Sequence, residues 1–186
     1  MSNVRAPVNR VGSKKAMHRR VLFLLIIGSL AMGSVGQRVY AQDRSGHPLI
    51  KGVTDAKVTL QQGLTAAAQQ GRPVSAKFEV EDGMFLLSVY IAKDGKFSEV
   101  VIDHTTGKVA KTESITEGED LAEAKLQTAA METAKTDLKS AVDKSATMAS
   151  GARAISVTPA LKDGRPVASV ILLIGQEFQS VEEPLE

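Results

Sequence analysis

Two hydrophobic rhythms alternate along this chain. Leu60, Gly63, Leu64, Ala67 and Ala68 fall on one face at helical spacing. Thr59-Leu60-Gln61-Gln62 before them has the form of a capping box, and Gly71 and Pro73 close the segment. The rhythm then changes to strict alternation. Val74, Ala76, Phe78 and Val80 point one way; Ser75, Lys77, Glu79 and Glu81 point the other. That is a strand with one face on a core. Asp82-Gly83 is a hairpin turn, because both residues tolerate the positive φ a tight turn requires. Met84 to Ala92 is a second strand, Asp94-Gly95 a second turn, and Phe97 to Ile102 a third strand. Thr106-Gly107 turns once more before Lys108-Val109. The pattern predicts one helix followed by an antiparallel three-stranded meander.

The same grammar returns downstream. Asp163-Gly164 repeats Asp82-Gly83 at an offset of 163 − 82 = 81 residues. At that offset Val74 meets Ile155, Ala76 meets Val157, Ser88-Val89 meets Ser169-Val170, and Phe97 meets Phe178. The helix positions Leu60, Leu64 and Ala68 match Leu138, Val142 and Ala146 at 138 − 60 = 78. Shared turn positions and strand spacing mark an internal repeat. The expected fold class is therefore α+β, with two tandem units at 57–113 and 136–186. Residues 114–135, rich in Ala, Glu, Lys and Leu, read as a helical connector. Glu119, Asp120, Glu123 and Lys125 there describe a solvated face. Residues 42–56, with Gly46, Pro48 and Gly52, read as a flexible lead-in.

The first 41 residues follow another plan. Arg19-Arg20 precedes the apolar run Val21 to Met32, and Val39-Tyr40-Ala41 supplies small residues at a cut site. This is the layout of a cleavable signal peptide, with cleavage between Ala41 and Gln42. The twenty residues before the apolar run are long for a leader, so Met17 is an alternative start to Met1. The rival reading is an uncleaved anchor, for which the uncharged stretch is short. Export implies a periplasmic or secreted protein.

Charge changes its meaning once the leader is separated. The chain has 23 Lys and Arg against 21 Asp and Glu. Arg5, Arg10, Lys14, Lys15, Arg19, Arg20 and Arg38 all lie before Gln42, where there is no acid. That leaves 23 − 7 = 16 bases against 21 acids, so nucleic acid is not an expected partner. Cysteine is absent, which removes disulfides, lipoprotein anchoring, thiolate metal sites and thiol nucleophiles.

Candidate chemistry is sparse. His47 lies in the lead-in, and His104 in a turn after Asp103. Ser88 and Ser169 occupy equivalent strand positions, with no neighbouring base or oxyanion hole in the pattern. Glu79, Glu81 and Asp82 lack the alternating oxygens of a calcium loop, and no phosphate-cradling Gly loop is present. The reading is no catalytic residue, no metal site and no cofactor. One anomaly is apolar. The run Val167 to Ile174 fails to alternate, so Val170 and Leu172 face the helix while Ile171 and Leu173 emerge opposite. Met84, Leu86 and Tyr90 repeat this more mildly. These five residues are either a contact surface for a partner or a face covered by the middle helix or the other unit.

Taken in order, the helix Val58-Thr59-Leu60-Gln61-Gln62-Gly63-Leu64, the strand Val74 to Val80, the Asp82-Gly83 hairpin and Val101-Ile102-Asp103-His104-Thr105-Thr106-Gly107-Lys108-Val109 resemble the PepSY domain. The resemblance covers residues 57–112 and, in degraded form, 136–186. The second copy places Pro159 and Pro166 in its strands and lacks the Thr-Gly-Lys-Val ending. The resemblance implies a non-catalytic module of exported bacterial proteins, with a peptidase-inhibiting or protease-regulating role. The expected function is binding in the cell envelope, with an envelope protein or peptidase as partner. The alternative is an envelope sensor or a small-ligand or metal carrier using a groove between the units. The sequence leaves the oligomeric state open.

Overall fold

A computed structural model describes residues 39–40 and 48–186. Residues 1–38 of the leader, its Ala41-Gln42 cleavage point and His47 lie outside the described residues. The chain is α+β. A two-residue strand β1 (Val39–Tyr40) precedes helices α1 (Pro48–Asp55) and α2 (Leu60–Ala67). Four strands follow: β2 (Arg72–Glu81), β3 (Met84–Lys93), β4 (Lys96–Ile102) and β5 (Val109–Ile115). Helices α3 (Gly118–Thr133) and α4 (Leu138–Ala146) lead to β6 (Arg153–Lys162), β7 (Arg165–Ile174) and β8 (Glu177–Pro184). All strands join one eight-stranded sheet in the order β1-β8-β7-β6-β2-β3-β4-β5.

The local signals act as their chemistry dictates. Thr59 Oγ1 accepts from the Gln62 amide at 3.2 Å, and Gln62 Oε1 accepts from the Thr59 amide at 2.8 Å, so the capping box starts α2. Asp82, Asp94 and Asp163 take φ of 50°, 52° and 51°, and each is followed by a glycine of positive φ. Positive φ at both central positions gives the turn twist that matches the strands.

Two expectations need correction. The lead-in was expected to be irregular, but residues 48–55 form α1. Leu49, Ile50 and Val53 sit at helical spacing, and Val53 is fully buried. A helix of eight residues is marginal alone, so its packing on the sheet, not its propensity, forms it. The first meander also has four strands, not three. After the Asp103 turn the chain pairs again, Val101 with Lys111 and Val100 with Thr112.

The two meanders meet edge to edge. β2 pairs antiparallel with β6 through Ala76↔Val157 and Lys77↔Ser156. Ala76 and Val157 are equivalent at the 81-residue offset, so a local two-fold axis passes between them. The β2–β3 ladder is bulged at Val74 and the β6–β7 ladder at Ile155, again equivalents. Leu87↔Ile102 and Ala168↔Glu183 also correspond at this offset. The 81-residue offset thus holds for these registers and for the bulge position.

Alternation sorts the sheet into two faces. Ala76, Phe78, Leu87, Val89, Val100, Val157, Val170 and Leu172 are buried with Leu60, Leu64, Leu138 and Val142 of α2 and α4. On the other face, α3 crosses β2, β3, β6 and β7. Ser75 Oγ donates to Gln127 Oε1 of α3 at 2.7 Å and fixes that placement. The sheet is therefore covered by helices on both faces along its centre.

Candidate functional site

Ser75, Lys77, Ser88, Tyr90 and Glu99 project from β2, β3 and β4 toward the face that α3 crosses. Alternation places them there correctly, and of the alternatives read for this face, cover by the middle helix is what the structure has. Ser75 is 2 % exposed, Ser88 0 % and Glu99 6 %. Ser88 Oγ donates to Glu99 Oε1 at 2.7 Å, which satisfies both groups. Lys77 pairs with Glu79 at 2.7 Å and lies 5.7 Å from the centre of the Tyr90 ring. From above, Gln127 is buried, and Glu123 reaches the same region. Burial holds the Glu123 carboxyl above the usual range; Asp120 adds to this and Lys77 opposes it. Glu123 thus departs from the solvated role read for it, whereas Glu119 and Lys125 are exposed as expected. A raised carboxyl pKa favours the folded state at low pH. That contribution fades as pH rises through the folded-state value.

The five residues considered as a contact surface are split by this geometry. Tyr90 and Leu173 are buried, at 3 % and 4 % exposure, and cannot meet a partner in the folded chain. Leu86 is half-buried, and Ile171 is partly buried against the core cluster that holds Leu173 and Met131 of α3. Met84, 58 % exposed at the hairpin tip, alone keeps a free surface. The burial has a simple cause: a non-alternating strand such as β7 is one buried on both faces.

His104 and Ser88 lie on opposite sides of the sheet. The His104 ring stands edge-on to Phe85 at 5.0 Å, and Phe85 stacks on Phe78 at 5.4 Å, on the α2 face. The His104 carbonyl accepts the Lys57 and Val58 amides, both at 3.0 Å, and so ties the turn to the start of α2. Asp103 Oδ1 accepts the Thr105 and Thr106 amides at 2.8 Å. These bonds, Thr106 first, lower the Asp103 pKa. Ser169 is exposed on β7 and lies 3.4 Å from Ser180 Oγ. Neither Ser88 nor Ser169 is therefore brought to His104. Glu81 is half-buried, Asp82 is an exposed turn residue, and no group of three His, Asp or Glu able to hold a metal occurs among the described residues. A hydrolase and oxidoreductase screen of the purified protein is expected to stay at background. A turnover lost on Ser88→Ala or His104→Ala would overturn that expectation.

One concavity was not read from the sequence. Leu64 and Thr65 of α2, its C-cap Ala68, Arg72 and Pro73 of β2, Met131 of α3, residues 134–137 and the start of α4 enclose about 350 Å³. Its floor is apolar, from Leu64, Ala68, Pro73, Met131 and Leu138; Arg72, Lys135 and Lys139 stand at its rim with one carboxylate, Asp137. Arg72 also donates to the Met131 carbonyl, and Lys139 pairs with Asp143 at 2.6 Å. The only sequence signal was the break between two helical runs, which forces the chain around the end of the sheet. The chain matches no family model, no curated protein and no solved structure.

Proposed function

We propose that this chain is an exported, non-catalytic binding protein of the bacterial cell envelope, built of two tandem PepSY-like units, that restrains or regulates a peptidase. The observation that carries the non-catalytic part is how the chemically capable side chains are engaged. Ser88 is bonded to Glu99, Ser75 to Gln127, and Asp103 to the amides of its own turn. The tandem part is supported by the common 81-residue offset in bulges and registers. The peptidase partner is supported by the resemblance of residues 57–112. Adding the protein to envelope peptidases should give a saturable loss of proteolysis. A pull-down from envelope extract that recovers no peptidase, together with unchanged proteolysis, would sink this partner.

A second reading is favoured by the groove between α2 and α4. Its apolar floor and cationic rim suit a small amphiphile with a carboxylate. A thermal shift with fatty or aromatic acids that is lost in Arg72→Ala, without any effect on proteases, would favour ligand carriage.

Export carries its own expectation. The mature form should begin at Gln42, as N-terminal sequencing or intact mass of the envelope fraction would reveal. Recovery of the full-length chain in the membrane fraction would instead support the anchor. Cleavage there would remove β1, which pairs with β8 through Val39↔Gln179 and Tyr40↔Phe178, and would return β8 to the sheet edge.

A further inference from the structure

Among the described residues the sheet ends in β5, with no strand beside its outer edge. Four residues from Val109 to Thr112 are exposed, and Ser114 is exposed too. An open edge offers backbone donors and acceptors to any extended chain, and proteins usually blunt it with charge. Here the charges have opposite sign two residues apart: Lys111 and Glu113, on one face of the strand, 2.7 Å from each other. We propose that β5 is the interface for a second copy of this chain, paired antiparallel and centred on Thr112. In that register Lys111 of each copy lies opposite Glu113 of the other, Thr112 faces Thr112, and Ser114 faces Ala110. Opposite charges and Thr–Thr pairs are both favourable across antiparallel strands. Sliding the register by one residue pair in either direction centres it on Lys111 or on Glu113 and sets like charges face to face. The charge pattern therefore selects one register and one partner, itself, as an isologous two-fold contact requires.

β8, which lies next to β1 and would form the other sheet edge once cleavage at Ala41 removed β1, lacks this property. β8 carries Glu177, Glu182 and Glu183 with no base, and ends at Pro184, which has no N–H to donate. Pairing of β8 with its own copy would oppose like charges. The β5 contact also reuses a geometry present inside the chain, where β2 and β6 meet antiparallel about Ala76 and Val157.

Charge reversal tests the register. The protein recovered after expression of the full chain should shift from monomer to dimer in sedimentation runs between about 1 µM and about 1 mM, where weak dimers titrate. Lys111→Glu alone, or Glu113→Lys alone, replaces two attractive pairs by two repulsive ones. Each variant should dimerise at least about tenfold more weakly. An equimolar mixture of the two should recover association as a heterodimer, since every cross-strand pair is again of opposite sign. The absence of cysteine permits a second measurement. Opposed residues in an antiparallel pair have Cα atoms about 4.5–5.5 Å apart, within disulfide range. Thr112→Cys should therefore oxidise to a covalent dimer, and Ser114→Cys, which faces Ala110, should not. A wild-type chain monomeric at about 1 mM, single reversals that dimerise like wild type, or equal cross-linking of the two cysteine variants would each overturn the proposal.

Discussion

Replacing Ile171 and Leu173 together by Asp is expected to leave the protein largely unfolded at room temperature. β7 lies inside the sheet between β6 and β8, with α3 across one face and α4 across the other. Leu173 is 4 % exposed, and Ile171 packs on the same core cluster. Two carboxylates in that layer must stay charged in an apolar seam, take up protons, or open the seam. Any of these costs several kcal/mol. A domain of this size has about 5–15 kcal/mol in total. Leu126→Asp is the matched control: Leu126 is on α3 but 71 % exposed, so its melt should move by no more than about 0.5 kcal/mol. Circular dichroism melts of both variants decide the matter. A double variant that melts like wild type would mean that this face is wet, and would restore it as a partner surface.

The second large effect is expected at Gly52. A Cβ there would lie 2.2 Å from Phe85 Cδ2 and 2.5 Å from two further ring atoms. The ring has nowhere simple to go, because Phe78 is stacked on one side and the His104 ring meets it edge-on. Gly52→Ala should therefore cost about 1–3 kcal/mol of overpacking. For a chain of this length that is a fall in Tm of about 2–4 °C per kcal/mol. Phe85→Ala should be destabilising by itself, yet should absorb most of the Gly52→Ala penalty when the two are combined. Strict additivity in that cycle would show that α1 does not sit on Phe85.

The elements that could be read in advance were those coded locally. The capping box at Thr59 and the Asp-Gly turns at 82, 94 and 163 depend on neighbours two or three residues away, and all four formed as expected. The alternation of β2 placed Ser75 and Lys77 on the correct side. What covers that side was invisible, because it depends on where α3 crosses, a contact between residues as distant as Ser75 and Gln127. The fourth strand β5 escaped because Val109 to Ile115 is polar and lies at an edge, where alternation carries little information. Helix α1 escaped because Pro48 and Gly52 read as loop, although Pro suits a helix start and Gly52 is required by Phe85. The groove beside α2 combines residues from two distant stretches of chain, 64–73 and 131–139, which no linear pattern reports. The part His104 plays in holding the turn at Asp103 to α2 was not legible, because it is carried by its carbonyl, which any residue supplies.

The junction of β2 with β6 is only two residue pairs long, yet among the described residues it is where the sheet runs from one meander into the other. On hydrogen bonds alone it would be a line of weakness, and the halves would melt separately. The apolar layer beneath it does not respect the line: Leu60, Leu64, Leu138 and Val142 belong to one cluster with both meanders. Helix α3 bridges the line from the other side. Cooperativity thus resides in side chains and not in the ladder. The amides of Ala76, Lys77, Ser156 and Val157 should exchange with solvent as slowly as those of the strand centres, through one global opening shared by both halves.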